Sequence, residues 1–375
     1  MKILITGSHF TPAEATIEEL QKQEDIEIVY IGRKFTLEGD KSQSVESQVL
    51  PKMGIKFMPI IAGRLQRSFT IHTIPSLFKI PIGIVQSFFI VWKEHPDVVL
   101  SFGGYVSVPV VIASWLLSIP IILHEQTLVS GLANSISANF ADKIAISFKD
   151  NKEFNSNKTI LTGNPLRREI FTDEKQINTD FQKIIKLSEE KHLPLILVTG
   201  GNQGSHIINK TISGSLYELN EIACVIHQTG DSNFKDFDNL SAQKNNLRNP
   251  ERYLPIKWIE GKFMSTIIKK ANLVISRAGI NTLLELAYLG IPTLVIPLPY
   301  LYKNEQYINA KYFEKLGLVK IMTQSNLNEK NLLENIKTML KNIYQLKENA
   351  LNVKEVVIID AAKRLALETM LLGKK

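Results

Sequence analysis

Short aliphatic runs alternate with amphipathic helical patterns along almost the whole chain, which predicts parallel sheets flanked by helices. Lys2 to Thr6 reads as a strand that enters the turn Gly7-Ser8-His9. Thr11-Pro12-Ala13-Glu14 then reads as a capping box with proline at the first helical position. Further strands are predicted at Ile26 to Ile31, Lys56 to Ile61, Val98 to Ser101, Ile119 to Leu123 and Lys143 to Ile146. The polar stretch Phe148 to Lys158 precedes TGNPLRRE, and Thr172 to Lys191 is charged, so a domain joint is placed near Gly163 to Pro165. There the pattern restarts. Leu195 to Thr199 reads as a strand, Gly200-Gly201-Asn202-Gln203-Gly204 as a turn and Ser205 to Leu219 as a helix. Strands follow at Ala223 to His227, Ile256 to Ile259, Leu273 to Ile275 and Thr293 to Ile296.

Two halves that each open with a strand and a glycine turn predict an α/β chain of two doubly wound, Rossmann-like domains facing across a cleft, 1–163 and 164–355. Ligands of such sheets bind beyond the carboxyl ends of the strands, so the cleft is the expected site. The segment 272–297, NLVISRAGINTLLELAYLGIPTLVIP, is the most informative. Arg277-Ala278-Gly279 turns the strand into a helix from Thr282 to Leu289, with Gly290 at its C-terminal cap and Pro292 beyond. A tight turn feeding a helix N-terminus aims free N–H groups and the positive dipole end at one point, which suits a phosphate. Glu285, one turn inside, could reach a ribose hydroxyl pair. The residues leave a second reading open, one more βαβ unit with a solvated Glu285.

Composition sets outer bounds. A chain of 375 residues, 44% hydrophobic, can bury a full core in each of two domains. Its one cysteine, Cys224, excludes a disulfide framework and a cysteine metal site. MKILITGSHF has no charged region followed by a long apolar core, so no signal peptide is expected. The greasiest stretch, Ile74 to Trp92, is interrupted by Pro75, Lys79, Pro81 and Gln86, which argues against a spanning helix. Its second half, Ile82 to Trp92, is expected to be a buried helix. The net charge of +7 suits an anionic substrate, membrane or nucleic acid without choosing among them.

The chemistry is narrowed by what the turns lack. TGSHFT and GGNQGS are not G-x-G-x-x-G, and the second strand ends Tyr30-Ile31-Gly32-Arg33, without an acid for a ribose. No G-x-x-x-x-G-K-[ST] is present. Phosphate-friendly turns without a redox or hydrolytic motif favour a nucleotide-sugar over a nicotinamide. No two of the seven histidines stand at ligand spacing on one helix, so neither a metal nor a cofactor is expected. His9 and His124 both fall at predicted strand ends. A lone histidine is ordinarily a hydrogen-bonded structural residue; two at corresponding strand ends point towards function.

SFGGYVSVPVVIASWLLSIPIILHEQ, TGNPLRRE, LVTGGNQGSHIIN, SRAGINTLLELAYLGIP and NEQYINA resemble, in order and spacing, the motifs of the MurG family of peptidoglycan glycosyltransferases, over nearly the whole chain from Lys2 to about Leu367. The resemblance implies a GT-B fold with the sugar nucleotide mainly on the C-terminal domain, and a last helix, about 356–372, that packs back on the N-terminal one. It implies transfer of N-acetylglucosamine from UDP-N-acetylglucosamine to lipid I, a polyprenyl-diphosphate-linked muramyl peptide, at the cytoplasmic face of the membrane, with no nucleic acid as partner. Thr6, Gly7, Ser8 and His9 match the first glycine loop, beside donor sugar and acceptor phosphates. Arg167 and Asn202 match donor contacts near the diphosphate, and Ile259 the residue whose backbone reads the uracil. Ile280, Asn281, Thr282 and Glu285 match the phosphate and ribose helix. Gln306 matches a residue holding the sugar hydroxyls, with Asn309 one turn on.

Departures from the family pattern are equally specific. The family's first loop typically reads GGTGGH; here Thr6-Gly7-Ser8-His9 is two residues shorter. Thr127 stands for a usual asparagine at a donor-sugar contact, Asn202 for a serine and Glu305 for a glutamine. The chain therefore reads as a divergent member. The expected general base is His9 first, Glu125 second and His124 third. Alternatives are a same-fold transferase on another lipid such as diacylglycerol, or a UDP-N-acetylglucosamine epimerase. An anionic membrane surface is the further expected partner, motivated by Arg64, Arg67, Phe69, Ile74, Leu77, Phe78 and Lys79, with Trp92 and Trp115 in the same domain.

Overall fold

The computed structural model describes residues 1–35, 43–63, 73–155, 157–172, 177–201 and 203–374, with backbone alone for 73–78. Asn202, Arg64, Arg67 and Phe69, and the side chains of Ile74, Leu77 and Phe78, lie outside the described residues. The chain forms two compact units, Met1–Arg167 with Ile358–Lys375, and Arg168–Val357.

The first unit contains β1 (Lys2–Thr6), α1 (Phe10–Leu20), β2 (Glu27–Gly32), α2 (Val45–Val49), β3 (Lys56–Pro59), α3 (Thr73–Glu94), β4 (Val98–Ser101), α4 (Ser107–Leu116), β5 (Ile121–Glu125), α5 (Leu132–Ser137), β6 (Lys143–Ile146) and β7 (Thr159–Leu161). Its seven strands are parallel, in the order β3-β2-β1-β4-β5-β6-β7. The second unit contains α6 (Thr179–Lys191), β8 (Leu195–Thr199), α7 (His206–Ile222), β9 (Cys224–Gln228), α8 (Asp236–Lys244), β10 (Tyr253–Ile256), α9 (Gly261–Lys270), β11 (Leu273–Ser276), α10 (Ile280–Leu289), β12 (Thr293–Val295), α11 (Glu305–Lys315), β13 (Val319–Ile321), α12 (Glu329–Lys341) and α13 (Ile343–Leu351). Its six parallel strands run β10-β9-β8-β11-β12-β13. The last helix, α14 (Ala361–Gly373), belongs to the first unit, and Leu365, Ala366 and Leu372 join Ile3, Ile5 and Leu100 in its core.

The central strands are buried on both faces, as β1, β4, β8 and β11 show, and they therefore read as unbroken aliphatic runs. Each sheet reverses its winding once, between β1 and β4 in the first unit and between β8 and β11 in the second. At these switch points the loops that leave neighbouring strands diverge and open a crevice at the carboxyl pole.

Four local expectations need correction. The first helix begins at Phe10 with His9 as its N-cap and no side-chain cap bond, so Thr11 to Glu14 is not a capping box. Pro12 is the third helical residue, a place it tolerates because N–H groups of the first turn have no intrahelical acceptor. The strand expected at Ile256 to Ile259 is β10, Tyr253–Ile256; Ile256 pairs with Gln228 at the end of the sheet and the chain then turns away. The strand expected to end at Leu123 runs on, which puts His124 and Glu125 inside β5. Finally, Ile82 to Trp92 is a helix but not a buried one. Gly83, Ser87 and Val91 face inward, whereas Ile82, Val85, Phe89 and Trp92 are 47–60% exposed along the opposite face.

Candidate active site

In the first unit, β1, β4 and β5 deliver three loops to the switch point. Thr6 aligns with Ser101 across β1 and β4, so Gly7-Ser8-His9 emerges against Phe102-Gly103-Gly104. The Ser8 N–H donates to Gly103 O at 3.0 Å and the Phe102 N–H to Thr6 O at 2.7 Å. Gly7 has φ 142°, and a Cβ there would lie 2.8 Å from Phe102 Cβ; one on Gly104, at φ 83°, would lie 1.8 Å from Ser8 Oγ. Only glycine permits this approach. The buried Tyr30 hydroxyl donates to Gly7 O at 2.9 Å and fixes the loop from beneath. Thr6 Oγ1 is buried without a hydrogen-bond partner among the described residues.

The three candidate bases differ sharply in their surroundings. His9 is half-buried and its imidazole makes no hydrogen bond among the described residues. Its enclosure first, and the Arg33 guanidinium second, push it down to about 4, so it is neutral with a free lone pair at neutral pH. His124 is 2% exposed, with Nε2 3.3 Å from both Gly163 O and Ser147 Oγ and its ring against Phe102. Burial pushes it down to about 4 as well, against the raising effect of the Gly163 carbonyl. It is a core histidine. Glu125 is also 2% exposed and its carboxyl is surrounded by donors. Thr127 N and Oγ1 reach Oε1 at 3.0 and 2.7 Å, and Asn134 Nδ2 reaches Oε2 at 2.8 Å. Burial raises its pKa and these bonds oppose the rise. Thr127 is itself held, its Oγ1 2.6 Å from Val129 O and its carbonyl accepting from Asn151 Nδ2 at 3.2 Å. Glu125 and Thr127 thus brace the loop after β5.

In the second unit, the turns after β8 and β11 meet at the switch point. Gly279 caps α10, whose first residues are Ile280, Asn281 and Thr282, and Gly290 closes it in the left-handed region at φ 65°. The first-turn N–H groups of Asn281 and Thr282 lie at the carboxyl pole with the positive end of the helix dipole. Glu285 is 2% exposed, so the solvated-carboxylate reading fails. The Ile259 N–H donates to Gln228 Oε1 at 3.0 Å, which leaves its carbonyl as the group able to accept from a base. Gln306 Oε1 accepts from the Leu298 N–H at 3.0 Å, freeing its amide N–H groups for a ligand. Asn309 is fully buried, and neither of its amide atoms has a hydrogen-bond partner among the described residues. Arg167 is half-buried at the end of the first unit's main segment.

Several organising residues lie outside the expected site set, although Arg277 was read as part of the turn before α10. Gln228 donates to Gly201 O at 2.9 Å while it holds Ile259, joining two loops. Arg277 binds Ser205 Oγ, Ile296 O and Gln324 Oε1. Asn134, as above, anchors Glu125. A cavity of about 740 Å³ opens at the opposite pole of the second unit, against Leu195 and Asn272 where the strands begin. The candidate side chains all lie at the carboxyl pole instead, so this cavity is not the reactive site.

Comparison with known proteins fits these two poles. Residues 6–146 match the glycosyltransferase family 28 N-terminal domain, and residues 195–365 its C-terminal domain. The chain belongs to glycosyltransferase family 28. Among its family 28 relatives is the UDP-N-acetylglucosamine–N-acetylmuramyl-(pentapeptide) pyrophosphoryl-undecaprenol N-acetylglucosamine transferase of Clostridium botulinum, 34% identical over 347 residues that cover 91% of each chain. The second transferase of that name from Bacillus cereus is 32% identical over 95% of this chain and 97% of its own. Among solved structures, Acinetobacter baumannii MurG aligns with TM-score 0.71 at 22% identity, covering 99% of both chains. The UDP-GlcNAc 2-epimerase of Neisseria meningitidis, bound to UDP-GlcNAc, aligns with TM-score 0.69 at 19% identity over 99% of this chain and all of its own. At these identities the structural likeness establishes the fold, an α/β GT-B fold of two doubly wound units.

Proposed function

We propose that this family 28 enzyme transfers N-acetylglucosamine from UDP-N-acetylglucosamine to lipid I, N-acetylmuramyl-(pentapeptide) pyrophosphoryl-undecaprenol, and so forms lipid II for peptidoglycan. The observation that carries the proposal is 34% identity, along nine-tenths of both chains, to a curated transferase whose name states that reaction. The epimerase neighbours share only the fold, at 19% identity or less.

The step is a direct displacement with inversion. The acceptor hydroxyl oxygen attacks the anomeric carbon as the bond to the diphosphate breaks, and the electron pair leaves on the β-phosphate oxygen of UDP. His9 takes the hydroxyl proton; its lone pair is free and its neutrality is ensured by enclosure. Glu125 holds the loop beside it, which its donors support. Departing negative charge meets the first turn of α10, and Arg167 matches a family contact to the donor near the diphosphate. Glu285 takes the ribose hydroxyls, the Ile259 carbonyl the uracil N3–H, and Gln306 with the unpartnered Asn309 the sugar. Ile280, Asn281, Thr282, Thr127, Asn202 and the loop Thr6-Gly7-Ser8 complete the binding set.

Peripheral attachment to the cytoplasmic face of an anionic membrane belongs to the same reading. No helix among the described residues is long and apolar enough to cross a membrane. The exposed face of α3, with Trp115 and Leu116 on α4, supplies an apolar surface for the headgroup boundary.

Incubation with radiolabelled UDP-N-acetylglucosamine and a panel of lipid acceptors tests the activity. Label should enter a lipid I analogue and not diacylglycerol. Labelled diacylglycerol, or epimerised donor without transfer, would overturn the assignment.

A further inference from the structure

A charge buried in a folded chain is ordinarily paired with an opposite charge, because leaving water unpaired is costly. Arg277 breaks that pattern. It is 8% exposed, yet its guanidinium donates only to neutral oxygens: Nη2 to Ser205 Oγ at 2.8 Å, and Nη1 to Ile296 O at 2.9 Å and Gln324 Oε1 at 3.1 Å. Among the described residues it forms no ion pair, and burial pushes it down to about 10 without any carboxylate acting against that. Asp236, the buried acid on the α7 side, is engaged by His206 and Asn209 instead.

The position of this cation is as informative as its isolation. Arg277 lies in the turn between β11 and α10, and its partner Ser205 is the N-cap of α7. The guanidinium is therefore fixed between the first turns of two helices, of 17 and 10 residues, whose positive dipole ends share the carboxyl pole of the sheet. Three sources of positive potential converge there, and the one carboxylate seen against the first turn of α7, Asp236, is held by His206 and Asn209 and forms no ion pair with the guanidinium.

We propose that Arg277 braces the turns after β8 and β11 and that the counter-charge of its fixed guanidinium is the diphosphate of the nucleotide donor. The inference rests on the reading that the second unit binds a nucleoside diphosphate. A neutral strut would hold the same loops equally well; a fixed cation adds selectivity for the charged part of the ligand. The nucleoside gains nothing from it.

Calorimetric titration of the full chain with UDP and with uridine separates the two roles. R277Q should weaken UDP about 10- to 50-fold, the size of an unscreened charge interaction over several ångströms, and leave uridine within about two-fold. S205A, which removes one hydrogen bond and keeps the charge, should leave the UDP-to-uridine ratio unchanged within about two-fold. R277K keeps the charge and loses the fork, so it should bind UDP within about five-fold of wild type, and this variant decides the matter if R277Q does not fold. Equal losses of UDP and uridine in R277Q, or an R277K as defective as R277Q, would show a strut only and overturn the proposal. Wild type that binds neither ligand would instead remove the nucleotide reading itself, and the proposal with it.

Discussion

The buried histidine His227 makes a quantitative test of the second unit possible. It is fully buried in β9, with Nε2 3.0 Å from Asn209 Oδ1 and Nδ1 2.9 Å from the Tyr253 hydroxyl. The amide nitrogen of Asn209 donates to Thr229 O at 2.8 Å and Asp236 Oδ2 at 2.9 Å, so its oxygen must be the acceptor. The network thereby assigns the imidazole proton to Nε2 and leaves Nδ1 to accept from Tyr253. Adding a proton at Nδ1 would charge a group with no water around it. Burial accordingly pushes its pKa from 6.5 down to about 3, against a smaller raising effect of Asp236.

A depressed histidine pKa means that the unfolded chain binds the extra proton first, so stability falls as pH falls. The contribution is intact above about 6.5 and is lost between there and about 3, at about 1.4 kcal/mol per pH unit. From pH 7 to pH 4 the loss is about 3 kcal/mol. Glutamine at this position offers one donor and one acceptor and does not titrate. His227→Gln should therefore lower stability at pH 7 by about 1–2 kcal/mol through imperfect geometry, and then gain about 3 kcal/mol on wild type as the pH falls to 4, so that the order reverses and the variant is the more stable there by about 1–2 kcal/mol. Hydrogen exchange of the β8 and β9 amides, compared between the two proteins at each pH, reads the difference locally and cancels the intrinsic exchange rate. A gap that stays constant from pH 7 to 4 would refute the assignment of a buried neutral imidazole.

Other predictions address the reaction. His9→Ala should reduce turnover about 10²- to 10⁴-fold with little change in UDP affinity; retained turnover with poor UDP binding would make His9 a phosphate-loop residue. Glu285→Ala should raise the UDP dissociation constant by the equivalent of about 1.5–3 kcal/mol, measured by calorimetry, and unchanged affinity would end its assignment to the ribose. Gln306→Ala should leave UDP binding intact and weaken discrimination between N-acetylglucosamine and its 4-epimer in competition assays; equal discrimination would exclude it from the sugar site. The chain should float with anionic liposomes at low salt and less at high salt, and Phe89→Ser with Trp92→Ser should abolish flotation; binding indifferent to lipid charge and salt would remove the electrostatic part.

Much of the fold was legible because its strands are buried on both faces. A sheet strand of that kind leaves an aliphatic run that no compensating polar position interrupts, as in Leu273 to Ile275. The turn before α10 and its cap at Gly290 were legible for a similar reason, since each is specified by three or four consecutive residues. What stayed hidden was held by partners remote in sequence. Arg277 is fixed by Ser205, 72 positions away, and Gln324, 47 away. Gln228 reaches Ile259 across 31 positions, and His227 finds Tyr253 across 26. No local periodicity records such pairings. The motif alone also gave Glu125 and His124 plausible catalytic roles, and only their donors and burial separate them from His9.

The α3 helix shows the opposite kind of limit. Its apolar positions recur at helical spacing, which foretells a helix and an apolar face but not what covers that face. Here there are two such faces. One, through Gly83, Ser87 and Val91, packs inward, and a Cβ at Gly83 would lie 2.5 Å from Ile61 O, so that side is fixed by close backbone approach. The other presents Ile82, Val85, Phe89 and Trp92 to solvent, four large apolar side chains on successive turns. An isolated exposed aliphatic residue calls for no explanation, but a contiguous stripe of this kind marks an interaction surface. A helix buried on both sides would carry the same sequence pattern. The distinction lies in which neighbouring elements the chain places beside it, and the chain places none over this face among the described residues. That vacancy is what the liposome experiment examines, because loss of flotation in the Phe89 and Trp92 variant would tie the uncovered stripe to the membrane.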